Sequence, residues 1–309
     1  MTFSMGVTTT NVSRGAEEVI AEADSALYEV KRSGRNRFDT FDPHVRRLVA
    51  QRVHLEQELS QALAADRLAL AYQPVMSVAT GAFSGAEGLL RWQRTPATLL
   101  TADQFINVAE DSGLMLSIGG WVMSSALAMA AGWPSETGTR PQLHLNVSSR
   151  ELGHPGFLNR LLQAIEASGV PAQAVTVEVS ESNLERHRQQ VIDGLRELRR
   201  SGVRAALDDF GSGTLSLLSL QGVPLDEIKV DLAVAARQSS GELAEEFLRA
   251  AVRTAHSLGL TVVAEGVERQ RDLELLTELG CDKAQGRHLC PPLSAPDLLQ
   301  RLSAGRVIT

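Results

Sequence analysis

A chain of 309 residues, 43% hydrophobic and 22% charged, has apolar material for about two domains, or for one large α/β barrel with an appendage. Its net charge of −7 argues against duplex nucleic acid held on a basic face, and leaves room for a small phosphate ligand held at one local site. Cys281 and Cys290 form neither a ligand cluster nor a disulfide framework, no apolar run of about 18 residues offers a spanning helix, and no secretion signal opens the chain, so a reducing, cytoplasmic setting is expected.

Residues 1–10 alternate weakly and are rich in Thr and Val, which predicts a strand. Ala16 to Lys31 reads as a helix with Ile20, Ala23, Leu27 and Val30 on one face, ended by Gly34. This segment is too short to bury a core of its own. Its run Ala23-Asp24-Ser25-Ala26-Leu27-Tyr28-Glu29-Val30-Lys31, followed by Gly34-Arg35-Asn36-Arg37, closely resembles the carboxyl-terminal end of a GGDEF (diguanylate cyclase-like) domain. Phe3-Ser4-Met5-Gly6-Val7 is similar to that domain's penultimate strand region. The resemblance implies that residues 1–44 are the last part of such a domain, either a remnant or the end of a longer domain cut at this point, without the GGDEF signature or most of the sheet, and that cyclase activity is not expected.

Asp42-Pro43 breaks the chain, and residues 45–67 read as a linker helix with Leu48, Val49, Arg52, Leu55 and Leu59 on one side, packed on the domain that follows. From Leu68 strands alternate with amphipathic helices. Strand-like runs are Leu68–Val75, Phe83–Trp92, Gln142–Val147, Ala174–Ser180, Val203–Asp208, Glu227–Asp231, Leu260–Glu265 and a short one near Cys281–Gln285. Helical runs are Thr101–Ser112, Ile118–Gly132, Phe157–Ser168, Gln189–Ser201, a short Leu215–Gln221, Glu242–Leu258, Arg269–Leu279 and Ala295–Ser303. The pattern predicts a TIM-like (β/α)8 barrel over residues 68–309. Its first two strands sit close together across Ala79-Thr80-Gly81, a turn signal, so one strand is expected to be antiparallel.

The stretch Ala205-Ala206-Leu207-Asp208-Asp209-Phe210-Gly211-Ser212-Gly213 closes an apolar run on two adjacent carboxylates and follows them with two glycines. A solvated strand-to-turn junction uses the same residue types; like charges ending a buried strand also suit a bound cation. Side chains alternate along a strand, so Glu87, Asn146, Glu178, Asp208, Lys229 and Glu265 lie opposite their apolar neighbours, each late in its run. If the apolar faces meet the outer helices, these residues point into the barrel mouth, where such folds build their sites. Singly, each has a plainer account: Glu178 and Lys229 as an internal ion pair, Asn146 on a loop backbone, Glu265 in a solvated turn. Together, the inward carboxylates outnumber the one lysine, and burying that charge is expensive without a cation. All-oxygen donors select Mg²⁺, Mn²⁺ or Ca²⁺ over Zn²⁺. With Asp208 and Asp209 adjacent, two ions could share a carboxylate, an arrangement suited to in-line attack of water on a phosphodiester. Lys229 would hold the attacking water or neutralise charge on the phosphate. Arg91, of the same parity as Glu87, would take a phosphate oxygen, with a surface salt bridge as its alternative.

Tyr72–Trp92 resembles the opening of EAL domains, the cyclic di-GMP phosphodiesterases. So do Asn146-Val147-Ser148, Glu178-Val179-Ser180-Glu181-Ser182, Asp208 to Gly213, Lys229-Val230-Asp231, Ala264-Glu265-Gly266-Val267-Glu268 and Ala284-Gln285-Gly286, in the family's order and spacing. The resemblance implies a TIM-like barrel with an antiparallel first strand and hydrolysis of cyclic di-GMP to linear pGpG. It implies metal ligands at Glu87, Asn146, Glu178, Asp208 and Asp209, taking Mg²⁺ or Mn²⁺, two ions in all, with Ca²⁺ inhibitory. Lys229, Glu265 and Glu87 would be catalytic; Gln73, Leu89, Arg91 and Gln285 would meet the substrate; Glu181 would brace the loop after Asp209; and a homodimer is expected. The sequence departs from the family at Gly88, where Ala is usual, at Thr214 and Leu215, where Tyr and Ser are usual, at Arg287 in place of an aromatic, and at Pro291 in place of a basic residue. These departures keep a second expectation open, a weak or inactive domain acting as a cyclic di-GMP receptor.

Overall fold

The structure, a computed structural model, describes residues 3–9, 15–32, 38–40, 43–134, 140–213, 215–234 and 242–305. It divides into two compact units, Met1–Gln61 and Ala62–Thr309. In the first, β1 (Met5–Val7) is joined through α1 (Ala16–Arg32) to β2 (Phe38–Thr40), which pairs with it in parallel. The buried stripe of α1 is Glu22, Ala26 and Val30, spaced by four residues. Ile20, expected on the apolar face, is instead 62% exposed. The stripe runs through Glu22, whose carboxylate accepts a hydrogen bond from Thr8 Oγ1 at 2.8 Å, so a satisfied acid takes a place that apolar periodicity assigns to a hydrophobe. Gly34, Arg35, Asn36 and Arg37 lie outside the described residues. In α2 (Pro43–Ala64), Leu55 is half-buried and Leu59 and Ala62 are buried, at helical spacing; the side chains of Leu48 and Val49 are outside the description.

The second unit is a closed (β/α)8 barrel. Its wall is β3 (Leu68–Ser77), β4 (Phe83–Thr95), with the short β5 (Thr98–Thr101) beside its end, β6 (Gln142–Asn146), β7 (Val175–Ser180), β8 (Arg204–Phe210), β9 (Glu227–Asp231), β10 (Thr261–Glu265) and β11 (Lys283–Ala284). β11 returns to β3, which also takes β12 (Leu293–Ser294). β3 is antiparallel to both wall neighbours, while β4, β6, β7, β8, β9, β10 and β11 run parallel. The hairpin turn after β3 therefore produces the one reversed strand expected from the sequence.

Around the wall lie α3 (Ile106–Ser112), α4 (Met115–Ala131), α5 (Ser149–Leu152), α6 (Phe157–Ser168), α7 (Glu181–Arg186), α8 (Arg188–Arg200), α9 (Glu242–Ser257), α10 (Gln270–Glu278) and α11 (Ala295–Ser303). The run Thr101–Ser112 is not one helix: a 3-10 turn, Ala102–Gln104, precedes α3. The break falls at Phe105, whose buried ring packs edge-on against Trp92, 5.6 Å between centroids, and that packing outweighs helical continuity. The run Leu215–Gln221 shrinks to a 3-10 turn, Leu217–Leu220.

The core lies between wall and helices. Leu143, Leu145, Val175, Val177, Val179, Leu207, Ile228 and Val262 belong to one buried cluster with Leu127, Leu161, Leu195 and Val252 of the helices. Full burial of each such side chain is worth about 1.5–3 kcal/mol. Because β-residues alternate, committing these residues to the helices commits their neighbours to the barrel interior. Toward the amino ends of the strands the interior is closed by Glu227, which accepts from Arg204 at 3.0 Å and Lys283 at 2.8 Å. Among the described residues no helix is long and apolar enough to cross a membrane.

Candidate active site

The carboxyl ends of the strands converge on Lys229. Its side chain is 1% exposed, and Nζ lies 3.0 Å from Glu87, 2.9 Å from Glu178, 3.2 Å from Asp208 and 2.9 Å from Glu265. These partners come from β4, β7, β8 and β10, so the constellation exists only in the closed barrel. Serine caps follow two of the site strands. Ser148, two residues beyond Asn146, accepts from Glu151 N to start α5. Ser180, two beyond Glu178, accepts from Asn183 N to start α7. The chain thus turns outward immediately past each functional side chain.

β8 is where alternation fails. Leu207 pairs with Ile228 and Phe210 with Val230, so Asp208 and Asp209 together stand opposite Lys229 alone. The extra residue is a β-bulge, with Asp209 in the left-handed region at φ 55°. Strict alternation would send Asp209 away from Asp208. The bulge instead brings Asp209 within ligand reach of Asp208 and Glu265.

Each carboxylate has a distinct set of partners. Glu87 accepts from Asn146 Nδ2 at 2.7 Å and from Gln285 Nε2 at 2.8 Å, besides Lys229. Gln285 Nε2 also donates to Gln73 Oε1 at 3.1 Å, and Gln73 stands opposite Glu87 in the β3–β4 register. Glu178 divides its oxygens: Oε2 faces Lys229, and Oε1 lies 2.8 Å from Nδ1 of the fully buried His144.

One ammonium does not suffice to ionise four carboxylates. Burial penalises the charge of Glu87, yet Lys229 and the donors Gln285 and Asn146 hold it down at about 2. Glu178 and Glu265 have the same lysine but fewer donors; burial, opposed by Lys229 and reinforced by neighbouring acids, pushes both well above the usual carboxylate range. Asp209 keeps an exposed side chain, but partial loss of water at the strand end, then repulsion from Asp208, raise it to about 6. Burial disfavours the charge of Lys229 too, but the surrounding carboxylates outweigh it and hold the ammonium protonated far above the ordinary lysine range.

The residues fit a metal. Ligand oxygens of Glu87, Glu178 and Asp208 lie within 4.8 Å of one another, as do those of Asp208, Asp209 and Glu265, and the two groups share Asp208. Every donor is oxygen, as hard divalent cations require. Gln285 Oε1 is buried beside them with no hydrogen-bond partner among the described residues, a polar atom that this kind of site would satisfy.

The loop after the bulge is tied down by Glu181, which accepts from Gly211 N at 2.7 Å and Leu215 N at 2.8 Å. A Cβ on Gly213 would come within 2.8 Å of Glu181 Oε1 and would press on the carboxylate that holds these two amides. Thr214 lies outside the described residues. Leu89 and Arg91 are half-buried on the same parity of β4 as Glu87, and Arg91 Nη1 donates to Leu90 O at 2.9 Å. Arg287 and Pro291 are exposed. Sequence reasoning missed His144, although it shares the parity of Asn146, two residues on. It also missed the bulge, for which a doubled Asp two residues ahead of Gly211 is the available sign.

The EAL domain family profile matches residues 56–292. Among curated relatives, the cyclic di-GMP phosphodiesterase NbdA of Pseudomonas aeruginosa is 34% identical over 307 residues, 99% of this chain and 39% of its own length. The bifunctional diguanylate cyclase/cyclic di-GMP phosphodiesterase MucR of the same organism is 33% identical over 287 residues, 91% of this chain and 41% of its own. A solved structure titled as the MucR phosphodiesterase in complex with c-di-GMP superposes with a TM-score of 0.74 at 33% identity, covering 79% of this chain and 99% of that one. The chain spans about two fifths of the length of these two curated relatives.

Proposed function

The chain belongs to the EAL domain family, and on that premise we propose that it is a metal-dependent phosphodiesterase that opens cyclic di-GMP to linear pGpG. The observation that carries this is the pair of carboxylate groups sharing Asp208 around Lys229. Glu87, Asn146, Glu178, Asp208 and Asp209 would hold two ions, Mg²⁺ or Mn²⁺, with Ca²⁺ inhibitory. Bound there, such ions acidify water and offset phosphate charge.

In this reading Lys229 keeps the acidic groups together and donates to the phosphate oxygen that gains charge. Glu265, 2.9 Å from Lys229 Nζ, takes part in handling the proton of the attacking water. Glu87 is poised as a charged ligand by its three donors. Gln73, Leu89, Arg91 and Gln285 line the substrate side, and Glu181 holds the loop after Asp209. We place the domains at 1–44 for a GGDEF-like carboxyl-terminal fragment, 45–67 for the linker helix and 68–309 for the EAL barrel. The active form is a cytoplasmic homodimer joined through that barrel.

The test is incubation of the purified protein with cyclic di-GMP and Mn²⁺, following pGpG, with a chelator control. Metal-dependent pGpG is expected. Tight nucleotide binding with no product at any metal concentration overturns the hydrolase reading in favour of a receptor.

A further inference from the structure

His144 is 0% exposed and sits on β6, two residues before Asn146 and on the same face of the strand. In register it lies opposite Thr176, one pleat deeper than the pair Asn146 and Glu178. Its ring thus approaches Glu178 from below, away from the barrel mouth, and places Nδ1 2.8 Å from Oε1. The other oxygen, Oε2, is the one bound to Lys229 at 2.9 Å. Glu178 has no freedom to rotate without breaking one of these two contacts.

We infer that His144 is a positioning residue for Glu178, its Nδ1–H fixing one carboxylate oxygen so that the other is presented to the metal-binding side. The inference rests on the reading of Glu178 as a metal ligand. With Glu178 ionised, as a ligand must be, Nδ1 carries the proton and Nε2 is the bare nitrogen; Nε2 is buried and has no hydrogen-bond partner among the described residues. A neutral donor suits this place. It orients the carboxylate without cancelling its charge, whereas a second lysine would neutralise the ligand it was meant to hold. Hydrogen bonds of this kind to a ligating group typically contribute about 10–100-fold in metal affinity.

The test compares His144→Leu, which fills similar space without a donor, with His144→Asn, whose amide places an N–H near the Nδ1 position. Mn²⁺ binding is measured by calorimetry, folding by thermal melting in chelator, and hydrolysis as separate kcat and KM at saturating metal. The expected result is Mn²⁺ affinity about 10–100-fold weaker in His144→Leu and within about 3-fold of wild type in His144→Asn, with KM for the nucleotide little changed in both. Equal affinity in wild type and His144→Leu overturns the assignment, as does an equal loss in both variants, which marks a packing role only. Should His144→Leu fail to fold, His144→Gln replaces it as the variant with a displaced donor, judged by the same criteria against His144→Asn. A wild-type protein that binds no Mn²⁺ overturns the metal reading itself, and the assignment with it.

Discussion

Replacing the ammonium of Lys229 with the thioether of methionine removes one partner from Glu87, Glu178, Asp208 and Glu265 at once. Breaking a buried ion pair from one side costs about 3–5 kcal/mol. Lys229→Met is therefore expected to destabilise the metal-free protein by about that amount, read from denaturant unfolding in chelator, and Mn²⁺ should restore more stability to the variant than it adds to wild type. Asp209 sets a pH dependence. Its folded value of about 6 lies above the ordinary 3.8, so the fold binds this proton more tightly than the unfolded chain. That contribution is complete below the unfolded value and disappears as pH rises through about 6. Metal binding needs the ionised state, so Mn²⁺ affinity should climb over the same interval with proton release. Calorimetry in two buffers of different ionisation heat measures the release, and Asp209→Asn should make the climb shallower, leaving the share that Glu178, itself held well above the usual carboxylate range, contributes. A pH-independent affinity in wild type would contradict this.

At the scale of elements, β4 and the loop after β8 offer the clearest tests. A Cβ on Gly88 would sit 3.7 Å from His144 O and Leu145 Cδ2 and 3.9 Å from Ala126 Cβ, ordinary contact distances. Gly88→Ala should stabilise the barrel by about 0.5–1 kcal/mol while leaving metal affinity alone, as chemical denaturation and calorimetry would show. Glu181→Gln leaves one acceptor oxygen where two amides now donate, so exchange at Gly211 or Leu215 should accelerate, as hydrogen-exchange mass spectrometry would reveal. Glu181 was legible in the sequence because a family resemblance named it. Glu87, Asn146, Glu178, Asp208, Lys229 and Glu265 were legible from strand parity alone, since each opposes apolar neighbours that must face helices. Asp209 was named by its adjacency to Asp208 and by the family resemblance rather than by parity, and His144 was not named at all. A bulge breaks the parity on which the reading depends, and a histidine in a buried strand carries no mark of what its ring will touch. The split at Phe105 was hidden for a related reason, because it depends on a distant ring, Trp92.

The whole barrel is the unit that makes the site, since its acids are delivered by separate strands and meet only when β11 closes on β3. A cation bound there would add to the cross-barrel ties that Lys229 already makes between β4, β7, β8 and β10. Mn²⁺ at about 100 times its Kd should stabilise the fold by about 2.7 kcal/mol, seen as a rise of several degrees in Tm that a chelator reverses. No shift at saturating metal would argue against a shared cross-barrel site.

The left-handed backbone at Asp209 also limits what this position can become in descent. Asn and Gly accept such a conformation, whereas β-branched residues do not. A lineage losing catalysis can exchange Asp209 for Asn and keep both the barrel and the placement of Asp208. Val or Ile would flatten the strand and displace its neighbour as well, so two carboxylates would be lost through one codon. The set of residues this position can take without disturbing its neighbour is therefore narrow, and substitutions at 209 that look equally neutralising should part sharply in their effect on the rest of the site.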